Sequence, residues 1–289
     1  MTNKLSSDMP WAIIEVKKRL FAIAAGQLRQ IVMMPEVTAV PNVPSFVRGV
    51  INLRGKVIPL IDLRVRLGMT SVTEETDGFC KMLEDREQDH RRWLDELRRS
   101  VEERRVFTLA TDPHKCAFGK WYDGYRTDDP WVAALLRKFD DPHKKIHGLA
   151  GQVKEMQQQD RGDEAIRLIS GSGAATLSTM VKLFAEVKTM VRENRRETVL
   201  ALTVGNRLIG VTADSAVAVE RLRLEELPAG AGTGGSNLVH RLGKRANRDE
   251  MVLVIEPERI LDGNGIDSVV AQIDKEGWGG MTPQSAGAS

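Results

Sequence analysis

The 289-residue chain has few cysteines and lacks long apolar runs. Its two cysteines, Cys80 and Cys116, cannot build a disulfide framework. No run of about 18 apolar residues occurs, so no membrane-spanning helix is predicted. The polar N-terminus, MTNKLSSDMP, does not resemble a secretory signal. We therefore expect a cytoplasmic protein that does not insert directly into a membrane.

An excess of charge of one sign is also missing. The 42 Lys and Arg residues nearly balance the 40 Asp and Glu residues, and the formal net charge is +2. Such a balance gives no general basis for binding nucleic acid or a membrane surface. The chain is long enough for two domains, and its 42% hydrophobic and 28% charged residues are ordinary for globular proteins.

The centre of the first β-rich region is a predicted hairpin. Two β-branched runs flank Arg54-Gly55, and two residues that include glycine between such runs are typical of a tight hairpin turn. Pro59 lies in the second run and cannot donate a ladder hydrogen bond. That strand is therefore expected to lie at an edge or to lose pairing at Pro59. One helical turn should follow from Leu63 and end at Gly68.

Helical periodicity begins near Glu74 and continues to about Glu197. Asp129-Pro130 and Asp140-Asp141-Pro142 are typical helix starts. In the first of these helices, Trp131 is expected to face inward. Four successive helices predict an antiparallel bundle. The β-rich character returns directly after this region.

Four of the five histidines lie in the helical region. His143 and His147 are four residues apart, so both project from one helical face and can share one ion. Such a pair by itself is most often solvated helix surface. His90 and Cys116 lie in neighbouring predicted elements, and a thiolate combined with imidazoles favours Zn²⁺ among the common metals. His114 is a competing ligand because it lies two residues before Cys116.

Two stretches of the β-rich regions resemble one family. GVINLRGKVIPLIDLRVRLGM resembles the central signature of CheW-like domains, the adaptors of bacterial chemotaxis. ETVLALTVGNRLIGVTADSAVAVERL, followed by MVLVIEPERIL, is similar to the second half of the same domain. The resemblance implies two small five-stranded β-barrels side by side, interrupted between their halves by the helical region.

The helical region resembles a second family. HRRWL, CAFGKWY and HKKIH are similar to the motifs of chemoreceptor zinc-binding domains, four-helix bundles that hold zinc with three histidines and one cysteine. Cys-x-x-Gly-x-Trp is the most specific of these motifs. The resemblance implies a zinc site formed by His90, Cys116, His143 and His147. Aromatic side chains are expected to pack the core around the metal, namely Trp93, Phe118, Trp121 and Trp131.

Together these patterns predict an α+β multidomain protein. Its CheW-like double five-stranded β-barrel domain is split by an inserted antiparallel four-helix zinc-binding bundle. The expected boundaries are 1–72 for the first CheW-like half, 73–197 for the insert, 198–270 for the second half and 271–289 for a disordered tail.

The CheW-like resemblance implies protein partners. These are the histidine kinase CheA and methyl-accepting chemotaxis receptors, and a homo-oligomer is left open. In the family, a surface arginine forms an ion pair with a glutamate. Arg54 corresponds to that arginine, but Gln30 stands at the position of the glutamate and, being neutral, cannot form the ion pair. The predicted partner surface consists of Leu28, Gln30, Val43, Val50 and Arg54. Polar side chains beside it are expected to be solvated face and turn residues, namely Asp62, Arg64 and Arg66.

Four protein ligands make a closed zinc site, so we expect a protein that is not an enzyme. A zinc-bound cysteine is a thiolate, the species that oxidants attack, and the second family is associated with sensing zinc and hypochlorous acid. One alternative is a zinc-dependent hydrolase with Asp112 or Asp123 as general base. Asp112 could instead orient a histidine or cap a helix. A further alternative is a zinc-stabilised scaffold without sensing. Cys80 is expected to be a buried or idle thiol.

Overall fold

The computed structural model describes residues 9–194, 197–227, 238–246 and 248–261. The chain divides at residues 72/73 and 195/196 into two compact units. We call the discontinuous one the β unit and the continuous one the helical unit. The tail predicted at 271–289 lies outside the described residues.

The elements follow the chain in three blocks. The first block contains β1 Pro10–Val16, β2 Arg19–Ala24, a 3₁₀ turn Ala25–Gln27, β3 Leu28–Met33, β4 Val37–Thr38, β5 Val47–Leu53, β6 Lys56–Ile61 and α1 Leu63–Arg66. The second contains α2 Val72–Glu102, α3 Ala117–Gly124, α4 Pro130–Arg137, α5 Asp140–Gln158, α6 Gly162–Leu168, a π-helical turn Ile169–Gly173 and α7 Ala174–Glu193. The third contains β7 Thr198–Val204, β8 Arg207–Ala213, β9 Ser215–Glu226, β10 Val239–Arg245, β11 Met251–Ile255 and α8 Pro257–Ile260.

The β unit contains two sheets among the described residues. Five strands close into a barrel in the order β1-β2-β11-β10-β9, and six form a sheet in the order β3-β7-β8-β6-β5-β4. The second sheet therefore differs from the five-stranded barrel that was expected. Its edge strand β4 has only two residues and lies between Pro35 and Pro41. Prolines cannot donate ladder hydrogen bonds, which limits further pairing at this edge.

The predicted hairpin is confirmed as β5 and β6. Arg54 and Gly55 have φ values of 53° and 84°, the left-handed conformation that a two-residue type I′ turn requires. Pro59 pairs with Val50 on β5, whereas the parallel pairing of β6 with β8 begins only at Leu60. Pro59 thus precedes the first β6–β8 pair, which is consistent with its lack of an N–H group for a ladder hydrogen bond.

The polar residues after β6 are structural rather than solvated, which corrects the expectation from sequence. Asp62 is 2% exposed and its side chain caps α1. Arg64 binds both carboxylate oxygens of Asp214, with N–O distances of 2.9 and 2.6 Å. Arg66 donates to the backbone carbonyl of Ile260 at 3.1 Å. These contacts join segments almost 150–200 residues apart, which local sequence patterns cannot reveal.

The helical unit contains long helices α2 and α5 and the continuous pair α6–α7. The segment between α2 and α5 forms two short helices, α3 and α4, so it departs from the four-helix pattern that was expected. Between α6 and α7 the helix contains a π-helical turn that ends at Gly173. A Cβ atom at Gly173 would lie 3.1 and 3.2 Å from side-chain atoms of Leu149 and Leu94. Close packing of α2 and α5 against this turn therefore favours glycine.

The orientation of α4 corrects one core prediction. Trp131 is 68% exposed, although it was expected to face inward. Asp129 caps the helix by accepting hydrogen bonds from the N–H groups of Trp131 and Val132. This start places Val132 and Leu136, four residues apart, on the buried face. The buried face therefore begins at Val132 rather than at Trp131.

Within the part of the chain that the structure describes, one helical segment meets the length and composition criteria for a membrane span. Gly162–Glu193 contains an 18-residue window with a mean hydropathy of 1.2. Its buried side chains pack in the core of the helical unit, namely Met180, Leu183, Phe184 and Val187. The buried share of the window is 28%.

Candidate metal centre

Three histidines and one cysteine meet inside the helical unit. The potential ligand atoms of His90, Cys116, His143 and His147 all lie within 4.8 Å of one another. His90 belongs to α2, Cys116 is the N-cap of α3, and the other two belong to α5. The histidines are at most 5% exposed and Cys116 is half-buried. The structure thus brings together the four residues that were selected from the sequence.

Backbone carbonyls orient two of the imidazoles. His90 Nδ1 lies 2.7 Å from the Arg86 carbonyl oxygen, and His147 Nδ1 lies 3.1 Å from that of Ala110. Protonation at Nδ1 allows both hydrogen bonds and leaves the Nε2 lone pairs available. Both Nε2 atoms are buried without a hydrogen-bond partner among the described residues. Buried polar atoms normally have a partner, so these two nitrogens fit a metal ion that accepts their lone pairs.

Gly119 explains how the Cys-x-x-Gly motif positions the sulfur. The Gly119 N–H group donates to Cys116 Sγ at 3.2 Å, and the same sulfur lies 3.2 Å from His143 Nε2. A Cβ atom at Gly119 would lie 1.8 Å from the Pro113 carbonyl oxygen. Only glycine therefore allows the chain before Cys116 to pack this closely on α3. The same arrangement directs a backbone N–H dipole at the sulfur, which stabilises a thiolate.

The protonation states of the histidines suit metal binding. Burial, together with repulsion from neighbouring imidazolium groups, lowers the pKa of His143 to about 3 and that of His147 to about 4. Burial also lowers the pKa of His90. All three imidazoles are therefore neutral near pH 7, which is the form that binds metals. Burial raises the pKa of the Cys116 thiol, although the Gly119 N–H group opposes this shift. A bound divalent cation would stabilise the thiolate.

The donor set and its spacing fit Zn²⁺. Tetrahedral zinc with bond lengths of about 2.0–2.3 Å places its ligand atoms about 3.3–3.6 Å apart. The Cys116 sulfur and His143 Nε2 are already 3.2 Å apart. No two of the four ligand atoms are more than 4.8 Å apart. Binding of the ion therefore requires these atoms to approach one another by at most about 1 Å. Three neutral imidazoles and one sulfur would complete a four-coordinate shell.

Aromatic rings surround the cluster on two sides. The Trp93 and His147 ring centroids are 4.9 Å apart, as are those of Phe118 and His143. Trp121 packs on the outer side of Phe118, with a centroid distance of 5.7 Å. The expected aromatic shell is therefore present except for Trp131, which is exposed, as described above. Aromatic packing of this kind limits solvent access to the cluster.

The competing polar residues lie outside the cluster. The His114 side chain is 62% exposed, and its Nδ1 lies 3.0 Å from the Asp123 carboxylate. Asp112 accepts a hydrogen bond from the His114 N–H group at 3.0 Å, which forms a local turn. Backbone carbonyls, rather than Asp112, therefore hold the cluster histidines. The sequence could not identify these carbonyls because every residue carries one.

The second cysteine is far less accessible than Cys116. Cys80 is 1% exposed, and burial raises the pKa of its thiol. Its sulfur lies 4.0 Å from the Lys188 carbonyl oxygen. It is therefore a buried thiol within the core of the helical unit.

The residues expected to bind partners lie in the β unit. Gln30 and Arg54 line the same depression, together with three further basic side chains, Arg29, Lys56 and Arg207. Leu28 and Val43 are partly buried against the core. Val50 is only 2% exposed, so it offers almost no contact area to a partner.

Comparisons with known proteins relate both units to families. Residues 11–91 match the profile of the CheW-like domain, and residues 90–154 match that of the chemoreceptor zinc-binding domain. The chain is similar to the chemotaxis protein CheW of Bacillus subtilis, with 37% identity over 78 residues that cover 26% of this chain and 50% of that protein. It is also similar to CheW of Helicobacter pylori, with 32% identity over 81 residues that cover 28% and 49% of the two chains. The chain thus spans about half the length of these relatives.

A structural comparison finds the scaffolding protein TtCheW from Thermoanaerobacter tengcongensis. The match covers 89% of this chain and 94% of that chain, with 14% sequence identity and a TM-score of 0.41. The two family profiles, rather than the structural match, relate residues 11–91 to the CheW-like domain and residues 90–154 to the chemoreceptor zinc-binding domain.

Proposed function

We propose that this protein is a chemotaxis coupling scaffold that carries a zinc-binding sensor. The observation that carries the proposal is the cluster of three imidazoles and one sulfur, in a chain that also matches the CheW-like domain. In this proposal the CheW-like domain consists of residues 1–72 and 198–270, and the zinc-binding domain of residues 73–197 interrupts it. The protein would act in the cytoplasm between methyl-accepting chemotaxis receptors and the histidine kinase CheA.

The composition of the metal shell supports a role without catalysis. His90, Cys116, His143 and His147 supply four donors, which is the number that a tetrahedral zinc site accepts. A hydrolytic zinc needs an open position for water and a nearby general base. Asp123 instead contacts the exposed His114. These features favour a structural or sensory zinc over a hydrolase.

The surroundings of Cys116 support sensing by oxidation. A cavity of about 440 Å³ borders the cluster and is lined by Cys116, His90, Trp93 and Leu109, among others. A small oxidant such as hypochlorous acid can reach the sulfur from this cavity. A metal-bound thiolate is the form that oxidants attack, and its oxidation to a sulfenic acid removes one zinc ligand. Loss of that ligand would weaken the connection between α3 and α5.

The proposed partner surface is the face of the β unit around Arg54. Gln30 lines the same depression as Arg54, and the proposal also includes Leu28, Val43 and the buried Val50. Arg54→Ala should weaken capture of CheA or of a receptor without changing the zinc content. Gln30→Glu should strengthen any pairing with Arg54 by the amount of a surface ion pair, about 0–1 kcal/mol.

Metal analysis of cysteine variants tests the proposal. We expect one zinc ion per chain in the wild type and in Cys80→Ser, and much less in Cys116→Ser, which keeps the bulk but loses the soft ligand. Hypochlorous acid should release zinc and alter CheA or receptor binding in the wild type and in Cys80→Ser, but not in Cys116→Ser. An oxidant response that persists in Cys116→Ser would contradict sensing at this sulfur. Zinc release without any change in partner binding would indicate a zinc-stabilised scaffold, and an exchangeable water on zinc would indicate a hydrolase.

A further inference from the structure

A second cavity in the helical unit has the form of a small-molecule site. Its volume is about 620 Å³, within the range of roughly 300–1,000 Å³ that is typical of such sites. Its walls are the end of α2, one face of α5 and the irregular segment 104–111 that follows α2. None of the four cluster residues lines it, although Leu109 lines both this cavity and the one beside the metal centre.

The inner wall of this cavity is apolar. Leu97 and Val153 are at most 1% exposed, and Ala150 is 6% exposed. Phe107 packs over this wall with its ring against Trp93, at a centroid distance of 5.1 Å. At the outer edge, Leu109 is 42% exposed. An apolar ligand segment entering the cavity would therefore remove already exposed hydrophobic surface from water.

The rim of the cavity is cationic. Arg104 and Lys154 line it, and no Asp or Glu does. Neither of these two side chains has an ion-pair partner among the described residues, and both residues are exposed. Arg105 also lines the cavity, but its guanidinium is paired with carboxylates, at 2.6 Å from Glu96. Two positive charges therefore remain available at the mouth of an apolar recess.

We propose that this cavity binds a small amphipathic anion, of the class of medium-chain carboxylates. The alkyl chain would pack against Leu97, Val153 and Phe107. The carboxylate would accept charge-assisted hydrogen bonds from Arg104 and Lys154 at the rim. This site does not depend on the proposed chemotaxis function.

Titration calorimetry of the full chain with three ligands that share one alkyl chain tests the charge requirement. Octanoate should bind saturably, octan-1-ol should bind about tenfold more weakly, and octylammonium should bind most weakly. Absence of saturable octanoate binding to folded protein would overturn the proposal. Equal affinities for octanoate and octan-1-ol would also overturn it, because the cationic rim would then have no role.

Two glycines of α5 provide a matched test of the location. A Cβ atom at Gly148 or Gly151 meets no heavy atom within 4 Å, so the backbone accommodates a Cβ at either position. Only Gly151 lines the cavity. Gly151→Trp should abolish octanoate binding, and Gly148→Trp should retain it. Undiminished binding by Gly151→Trp would place the ligand elsewhere and refute the assignment.

A third variant guards against a folding artefact. Lys154→Gln changes an exposed side chain and should leave the fold intact. It should weaken octanoate binding by about tenfold and leave octan-1-ol binding unchanged. Equal loss for both ligands, or no loss for octanoate, would contradict the proposed position of the head group.

Discussion

Gly119→Ala is the smallest change that should disturb the metal centre without touching a ligand. The added Cβ atom would lie 1.8 Å from the Pro113 carbonyl oxygen and 2.9 Å from its carbon. The segment before Cys116 must then move away from α3 by roughly 1.5 Å to restore ordinary contact. Because Cys116 caps α3 and accepts the Gly119 N–H hydrogen bond, the sulfur should move with that segment.

The expected magnitude follows from two opposing effects. Inserting a methyl group into a closely packed site typically costs about 1–3 kcal/mol. Alanine is better than glycine inside a helix by about 1 kcal/mol, which offsets part of this cost. We expect a net loss of about 0–2 kcal/mol in the free energy of unfolding of the helical unit. Displacement of one metal ligand should also reduce zinc affinity by about 10- to 100-fold, as for loss of groups that orient ligands.

Gly124→Ala is the matched control because it lies on the same short helix. A Cβ atom at Gly124 meets nothing within 4 Å, so this variant should be as stable as the wild type or slightly more stable. Denaturant unfolding followed by helical circular dichroism measures stability, and competition with a chelating dye measures zinc affinity. The reasoning would be refuted if Gly119→Ala matched Gly124→Ala in both measurements.

Three further predictions concern folding. Removing zinc with a chelator should reduce the helical circular dichroism and leave the β-sheet signal, because structural zinc contributes folding free energy; an unchanged helical signal would show that the bundle folds without metal. A double-mutant cycle of Arg64→Ala and Asp214→Ala should give a coupling energy of about 1 kcal/mol or more, since the pair is bidentate and part-buried; coupling near zero would contradict this. Asp129→Ala should destabilise the helical unit by about 1 kcal/mol through loss of the α4 cap, whereas Asp163→Ala, in a first turn without a side-chain cap, should cost less.

The features that the sequence could predict are those determined by neighbouring residues. Arg54-Gly55 produces a hairpin because two left-handed residues reverse the chain locally. Asp129-Pro130 starts α4 because the cap and the fixed proline φ act within one turn. His143 and His147 share a face because of their four-residue spacing. The motifs also selected His90 and Cys116 for the metal cluster.

The features that the sequence could not predict depend on the tertiary fold. The Asp214 carboxylate lies beside Arg64 only because the chain returns to the β unit 150 residues later. The inward face of α4 depends on its packing against α7, so the position of Trp131 was assigned wrongly. Short α3 has too few residues for a clear helical period. The Ala110 carbonyl, which holds His147, carries no signature in the side-chain sequence.

The two β-rich segments of the chain depend on each other within the β unit. The closed barrel combines β1 and β2 with β9, β10 and β11, and the other sheet places β7 and β8 between β3 and β6. Each sheet therefore contains strands from before and after the helical unit. Neither β-rich segment can complete a sheet by itself. The residues between them must therefore allow the strands of the two segments to pair with each other.

The point at which the chain re-enters the β unit is firmly held. Glu197 is 7% exposed, and its carboxylate oxygens lie 2.8 and 2.7 Å from Arg48 Nη1 on β5. Its carbonyl oxygen accepts a hydrogen bond from the Met34 N–H group, directly after β3, at 3.1 Å. β3 carries Gln30, and the β5–β6 turn carries Arg54. Glu197, at the residue before β7, therefore joins β5 to the end of β3, the strand that carries Gln30.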